Sequence, residues 1–199
     1  CPPRPPSLFP SVGGHDAVAS LRSIMRTMLF GAILAMCQPA VAQQQAVLDR
    51  ALDAAIATFE RARPGLGASA SGVDIAAYRD ALTLQRFSST LWRGEVTLDL
   101  AIRQTNTGSC ARFAAFVRLP PEAGVIQLVL CPQFFRPGAD DLRELTILHE
   151  MVHVVAGRDE CQAMALAARI EQAARGRFTP VDTYWQANGC PDSRYRLPR

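Results

Sequence analysis

The chain has 199 residues, 49% hydrophobic and 20% charged, with a formal net charge of +3. This suits one globular domain of ordinary size plus some processing sequence. All 21 basic residues are Arg, and they form no long run. The charge pattern therefore gives no sign of a nucleic-acid partner and is neutral about other partners.

In chain order, residues 1–24 lack an initiating Met, are Pro-rich at the front and show no periodicity. They read as disordered sequence upstream of a natural start at Met25. Residues 25–42 read as a signal peptide: Met25-Arg26 is a positive start, and the apolar run from Leu29 to Met36 is too short to span a bilayer. Ala40-Val41-Ala42 offers an A-x-A cleavage site, and Pro39 argues against a buried helix. A lipid anchor on Cys37 is the weaker alternative, because Met36 is a poor residue before an acceptor cysteine. The expected product is a single domain of residues 43–199, secreted or periplasmic, with no stable membrane insertion once the signal is removed.

Within that domain, Leu48, Leu52, Ile56 and Phe59 recur at helical spacing over residues 46–61, which end at Arg63-Pro64-Gly65. A Gly/Ser/Ala loop leads to a second helix over residues 73–84. Residues 95–103 alternate as a strand, with Val96, Leu98, Leu100 and Ile102 on one face. Residues 111–118 and Val125–Leu130 read as two more strands, joined by a turn over residues 120–124. The last of them is nearly all apolar and is expected to be buried. After Pro137-Gly138, Asp140 and Asp141 place negative charge at the start of a helix that ends at Gly157. A further helix over residues 159–175 buries Ala163, Leu166, Ala167 and Ile170. The predicted fold is α+β: N-terminal helices, a small antiparallel β-meander, a central helix and a packing helix after it.

Four cysteines remain after residue 42, and an even number in an exported domain predicts disulfides. Of three pairings, Cys110–Cys131 with Cys161–Cys190 is favoured because each pair brackets a compact stretch. No C-x-x-C spacing suggests zinc ligation by these thiols.

Residues 149–153 read His149-Glu150-Met151-Val152-His153. On a helix the two imidazoles share one face and reach one metal ion, and Glu150 is placed to take a proton from water activated there. The only other histidine, His15, lies in the segment set aside. Two unpartnered imidazoles amid Leu148, Met151, Val152, Val154 and Val155 would be costly without a metal. A catalytic zinc needs a third protein ligand, here Asp, Glu or Cys. Asp159 and Glu160 are nearest, and one can cap the next helix while the other ligates.

Leu130-Cys131-Pro132-Gln133-Phe134-Phe135, then Thr146-Ile147-Leu148-His149-Glu150, then Gly157-x-x-Glu160 together resemble the aspzincin metallopeptidases, which include deuterolysin and the peptidyl-Lys metalloendopeptidases. That likeness covers about 35 residues, 129–163. It implies a zincin-like fold, zinc held by His149, His153 and Glu160, and Glu150 as general base. The family's third ligand is Asp where this chain has Glu160, and Arg158 and Ala163-Met164 replace its Thr and Tyr-Gly. Asp159, six residues past His153, is the metzincin-like alternative, although Met164 is the last Met and no later methionine turn exists. The order of preference for the third ligand is Glu160, Asp159, Glu171.

The resulting expectation is a secreted zinc endopeptidase acting on peptides or proteins, with the strand Val125–Leu130 pairing with an extended substrate. Tyr184, ahead of Tyr195 and Arg158, is the expected donor to the oxyanion. The alternative is a non-catalytic exported binding domain with a structural or degenerate site; a zinc hydrolase of non-peptide substrates is third.

Overall fold

In the computed structural model, residues 40–138 and 140–199 are described. The upstream segment and the signal sequence lie outside them, apart from residues 40–42, which form the first turn of helix α1 (Ala40–Ala62). Leu48, Ala51, Leu52, Ala55, Phe59 and Ala62 are its buried stripe, at the three-to-four spacing of an amphipathic helix. Strands β1 (Ser69–Ala70) and β2 (Val73–Asp74) form a small hairpin before α2 (Ile75–Leu82). That helix starts two residues later than expected because Asp74 caps it, accepting from the N–H groups of Ala76 (2.8 Å) and Ala77 (3.1 Å).

The fold is α+β, but its sheet is not a meander. Strands β3 (Phe87–Ser89), β4 (Gly94–Ile102), β5 (Ala115–Glu122) and β6 (Val125–Leu130) lie in the order β3-β4-β6-β5. β6 runs parallel to β4 and antiparallel to β5. The reason lies in the strands themselves. Ile126, Leu128, Val129 and Leu130 are wholly buried, so β6 belongs inside the sheet with both edges paired. β5 carries Arg118, Pro120, Pro121 and Glu122, and prolines, having no N–H to donate, belong on an edge. Its ladder to β6 is irregular between Arg118 and Glu122, where the prolines sit. The turn is accordingly only Ala123-Gly124, both at positive φ (50° and 78°), a two-residue hairpin.

Helices α3 (Asp140–Ala156), α4 (Glu160–Arg175) and α5 (Asp182–Ala187) follow. α3 packs against α1, α2, α4 and β5, burying Ile147, Leu148, Met151, Val152 and Val154 completely. Two side chains from other elements hold it by its carbonyls: Tyr78 donates to Leu148 O and Trp92 Nε1–H to Val154 O, each at 2.7 Å. Ala163, Leu166, Ala167 and Ile170 of α4 are buried as expected. The cysteines pair as Cys110–Cys131 and Cys161–Cys190, which fits an oxidising compartment. Among the described residues no helix is long and apolar enough to cross a membrane.

Candidate metal centre

His149 and His153 stand one turn apart on α3, with Nε2 atoms 3.1 Å apart. Gly157, at φ +93°, ends that helix, a conformation glycine adopts without the Cβ penalty. The sharp turn brings Glu160, the first residue of α4, back over the histidines. Its Oε2 lies 3.2 Å from His149 Nε2 and 3.6 Å from His153 Nε2. Four-coordinate zinc with bonds of about 2.0–2.1 Å sets its ligand atoms about 3.3–3.4 Å apart. The three separations bracket that value, so the donor set fits a tetrahedral ion with one position left open.

The same turn also orients a ligand. His153 Nδ1–H donates to the Gly157 carbonyl at 2.7 Å, which fixes the tautomer and leaves the Nε2 lone pair facing the other donors. Burial opposes charge on His153, but hydrogen bonding to Glu160, the Glu150 charge and the Gly157 carbonyl outweigh it and raise its pKa. At Glu160 burial acts upward and the two histidines more strongly downward, so its carboxyl is held well below the usual range.

Glu150 is buried behind the histidines. Desolvation raises its pKa, partly offset by His149, His153 and a hydrogen bond from the backbone of Val117. No family model, curated protein or solved structure matches the chain. Its likeness to the aspzincins therefore rests on sequence alone, and the function must be argued from this geometry.

The other candidate residues separate clearly. Asp159 is the N-cap of α4, accepting from the N–H groups of Cys161 and Gln162, each at 3.0 Å; its carboxylate is engaged there and is not part of the three-donor cluster. Glu171 is buried elsewhere, accepting from Thr179 N–H (2.7 Å) and Thr179 Oγ1 (3.0 Å). Tyr195 packs in a small apolar cluster with Trp185 and Cys190. Arg158 donates to the Leu119 carbonyl across the mouth of the cleft. Tyr184 alone of the proposed oxyanion donors touches the centre, its hydroxyl donating to Glu160 Oε2 at 3.1 Å. Burial and the Glu160 charge push its pKa up to about 12, so it is a protonated donor at neutral pH.

The strand beside the donors is not β6. β6 is enclosed between β4 and β5, and β5 is the strand whose edge borders the cleft with His149, Glu150 and His153. Val125–Leu130 is nearly all apolar, which argues against an edge strand and in favour of an enclosed one. Two backbone roles at the centre are Gly157, whose carbonyl orients a ligand, and Val117, whose backbone lowers the pKa of Glu150. Neither role has a side-chain signature.

Proposed function

We propose that the protein is an exported zinc-dependent metallopeptidase. The observation that carries this reading is the cluster of His149, His153 and Glu160, spaced for a tetrahedral ion, with Glu150 behind it and an open strand edge beside it. Two imidazoles and one carboxylate suit zinc. When bound, zinc supplies Lewis acidity, toward a water it acidifies and a carbonyl it polarises. Glu150, its basicity raised by burial, takes a proton from the attacking water and hands it to the leaving amine. Tyr184 is the nearest hydroxyl donor for charge developing on the substrate's carbonyl oxygen. The two disulfides support the exported setting.

The test is metal content together with peptide cleavage. Wild type should hold one zinc per chain. Glu150→Gln should retain that zinc and lose about 10²–10⁴-fold in kcat, the span of general acid–base catalysis. Glu160→Ala should weaken zinc binding sharply, while Asp159→Ala should cost about 1 kcal/mol of stability as a lost cap. Zinc binding without cleavage of any peptide would convert the reading to a binding domain. A protein that binds no zinc would end it.

A further inference from the structure

The cleft beside the donors extends both ways along β5, and the two arms differ in chemistry. One arm passes Val117, Leu119 and Glu122, with Arg118 and Arg158 on its walls. The other opens into a cavity of about 460 Å³, within the size range of ligand pockets. Both arms share Phe113, Ala115, His149, Glu150 and Tyr184, so the donors sit where they meet.

The second arm is apolar because of where its wall comes from. Leu142, Leu145 and Thr146 precede His149 by seven, four and three residues, so they share its face of α3. Met164 of α4, Val181 and Phe113 add further apolar surface to the lining. Phe113 and Leu142 are also among the exposed large apolar side chains of the described residues, at 38% and 57%. Two such side chains flanking one cavity are an unfilled apolar surface. The charged residues at its rim, Arg112 and Asp182, are exposed and opposite in sign, so the rim offers a charged side chain no net charge.

The backbone fixes how a peptide would lie. Cys131 N–H donates to Ala114 O at 2.9 Å, and Ala115 and Leu130 are opposite each other. Antiparallel alternation then directs Ala114, Phe116 and Arg118 toward β6, and Ala115, Val117 and Leu119 toward the outer edge. A further contact agrees with that phase, since Leu119 O accepts from Arg158. Ala115, only 5% exposed where it lines the cleft beside His149 and Glu150, thus directs its N–H and C=O toward the edge an added strand would pair with. An antiparallel peptide, the more stable pairing per residue, runs from the Leu119 end toward Phe113. The residue on the C-terminal side of the cleaved bond then faces the apolar cavity.

Resting on the metallopeptidase reading, we propose that this cavity selects a bulky apolar side chain on the residue whose amine is released. The substrates are extended peptide segments cut before residues such as Leu, Phe or Met. In the hydrolysis the water oxygen bonds to the carbonyl carbon, the C–N bond breaks, and Glu150 carries a water proton to the new amine.

The test has two arms. Zinc-loaded protein is given peptides of one frame, varied only at the residue after the scissile bond. Leu and Phe should exceed Ala by about 10–200-fold in kcat/KM, with Lys and Glu below Ala. Leu142→Glu, at an exposed position, should raise cleavage before Lys relative to Leu. The second arm needs no turnover: in zinc-free protein the Met164 methyl resonance, assigned through Met164→Leu, should shift on adding leucyl or phenylalanyl peptide amides and stay still with lysyl ones. Cleavage without an apolar preference on that side, or with a basic one, overturns the proposal while leaving the hydrolase intact. A Met164 response without any cleavage supports the pocket and removes the peptidase reading. An unmoved Met164 overturns the pocket.

Discussion

The two halves of the candidate centre are built very differently. His149 and His153 belong to α3, which is enclosed by α1, α2, α4 and β5 and tied at its carbonyls by Tyr78 and Trp92. Their side chains are only 13% and 7% exposed. Glu160 and Tyr184 are 38% and 41% exposed. Tyr184 rides on a helix of six residues, too short to persist without tertiary support. That support is the small cluster of Cys161, Met164, Ala165, Trp185, Cys190 and Tyr195. The three metal donors are thus carried by helices of the main core, Glu160 by α4, whereas Tyr184 is carried by the satellite. The difference separates holding a metal from shaping what surrounds it.

The largest effects should fall along that division. His153→Ala removes a donor and the Gly157 contact together, and it should abolish zinc binding and cleavage. Tyr184→Phe removes only the hydroxyl beside Glu160. It should keep one zinc per chain and lower kcat by up to about 10²-fold, the scale of one oxyanion donor, with KM little changed. If Tyr184→Phe lost zinc as readily as His153→Ala, the satellite bearing Tyr184 would be part of the metal's support and the comparison would fail.

The disulfides sharpen the same point. Their sequence separations, 21 and 29 residues, give similar chain-entropy contributions, each about 3–4 kcal/mol. A difference between them must therefore come from what each one holds. Cys110–Cys131 joins the approach to β5 to the end of β6, where a strand ladder already exists. Cys161–Cys190 begins one residue after Glu160 and tethers the segment bearing Tyr184. Replacing both cysteines of a pair by Ser should destabilise the protein similarly in the two cases. Only the Cys161/Cys190 pair should also reduce kcat in the fraction that remains folded, measured by activity against temperature well below the Tm. Equal activity losses would mean that α5 does not depend on its tether.

Much of the architecture was legible from periodicity: α1, α4, the motif helix and the buried strand β6 follow from where apolar residues recur. The sheet order was not, because a strand's alternation says which face is buried and nothing about its neighbour. Pro120 and Pro121 suggest a turn by composition, but their missing N–H groups equally mark an edge strand, as β5 is. At the centre, His149 and His153 were fixed by spacing on one helix. Choosing between Asp159 and Glu160 needed the turn at Gly157, since only its geometry decides which carboxylate caps and which faces the imidazoles. Both candidates are acidic and adjacent, so composition could not separate them.

The smallest effect is one of pH, and it tests whether the half-buried Glu160 acts as a partner of the two histidines. In the metal-free protein His153 lies above its usual 6.5, so the stabilisation from its charged form is full below that value and is lost as pH rises through the raised pKa. Glu160 is held below its usual 4.5, so its contribution is present above that value and is lost only as pH falls through the depressed one. From this pair, metal-free stability is greatest between about pH 4.5 and 6.5. Zinc needs neutral imidazoles, and protons compete with it increasingly as pH falls into that window. The Tm gap between zinc-loaded and metal-free protein should therefore widen as pH is raised from about 5.5 to about 8. Glu160→Gln should flatten the metal-free curve by removing the charge that raises His153. A gap that narrows with rising pH would mean that Glu160 does not titrate with the histidines, and it would then be their neighbour without being their partner.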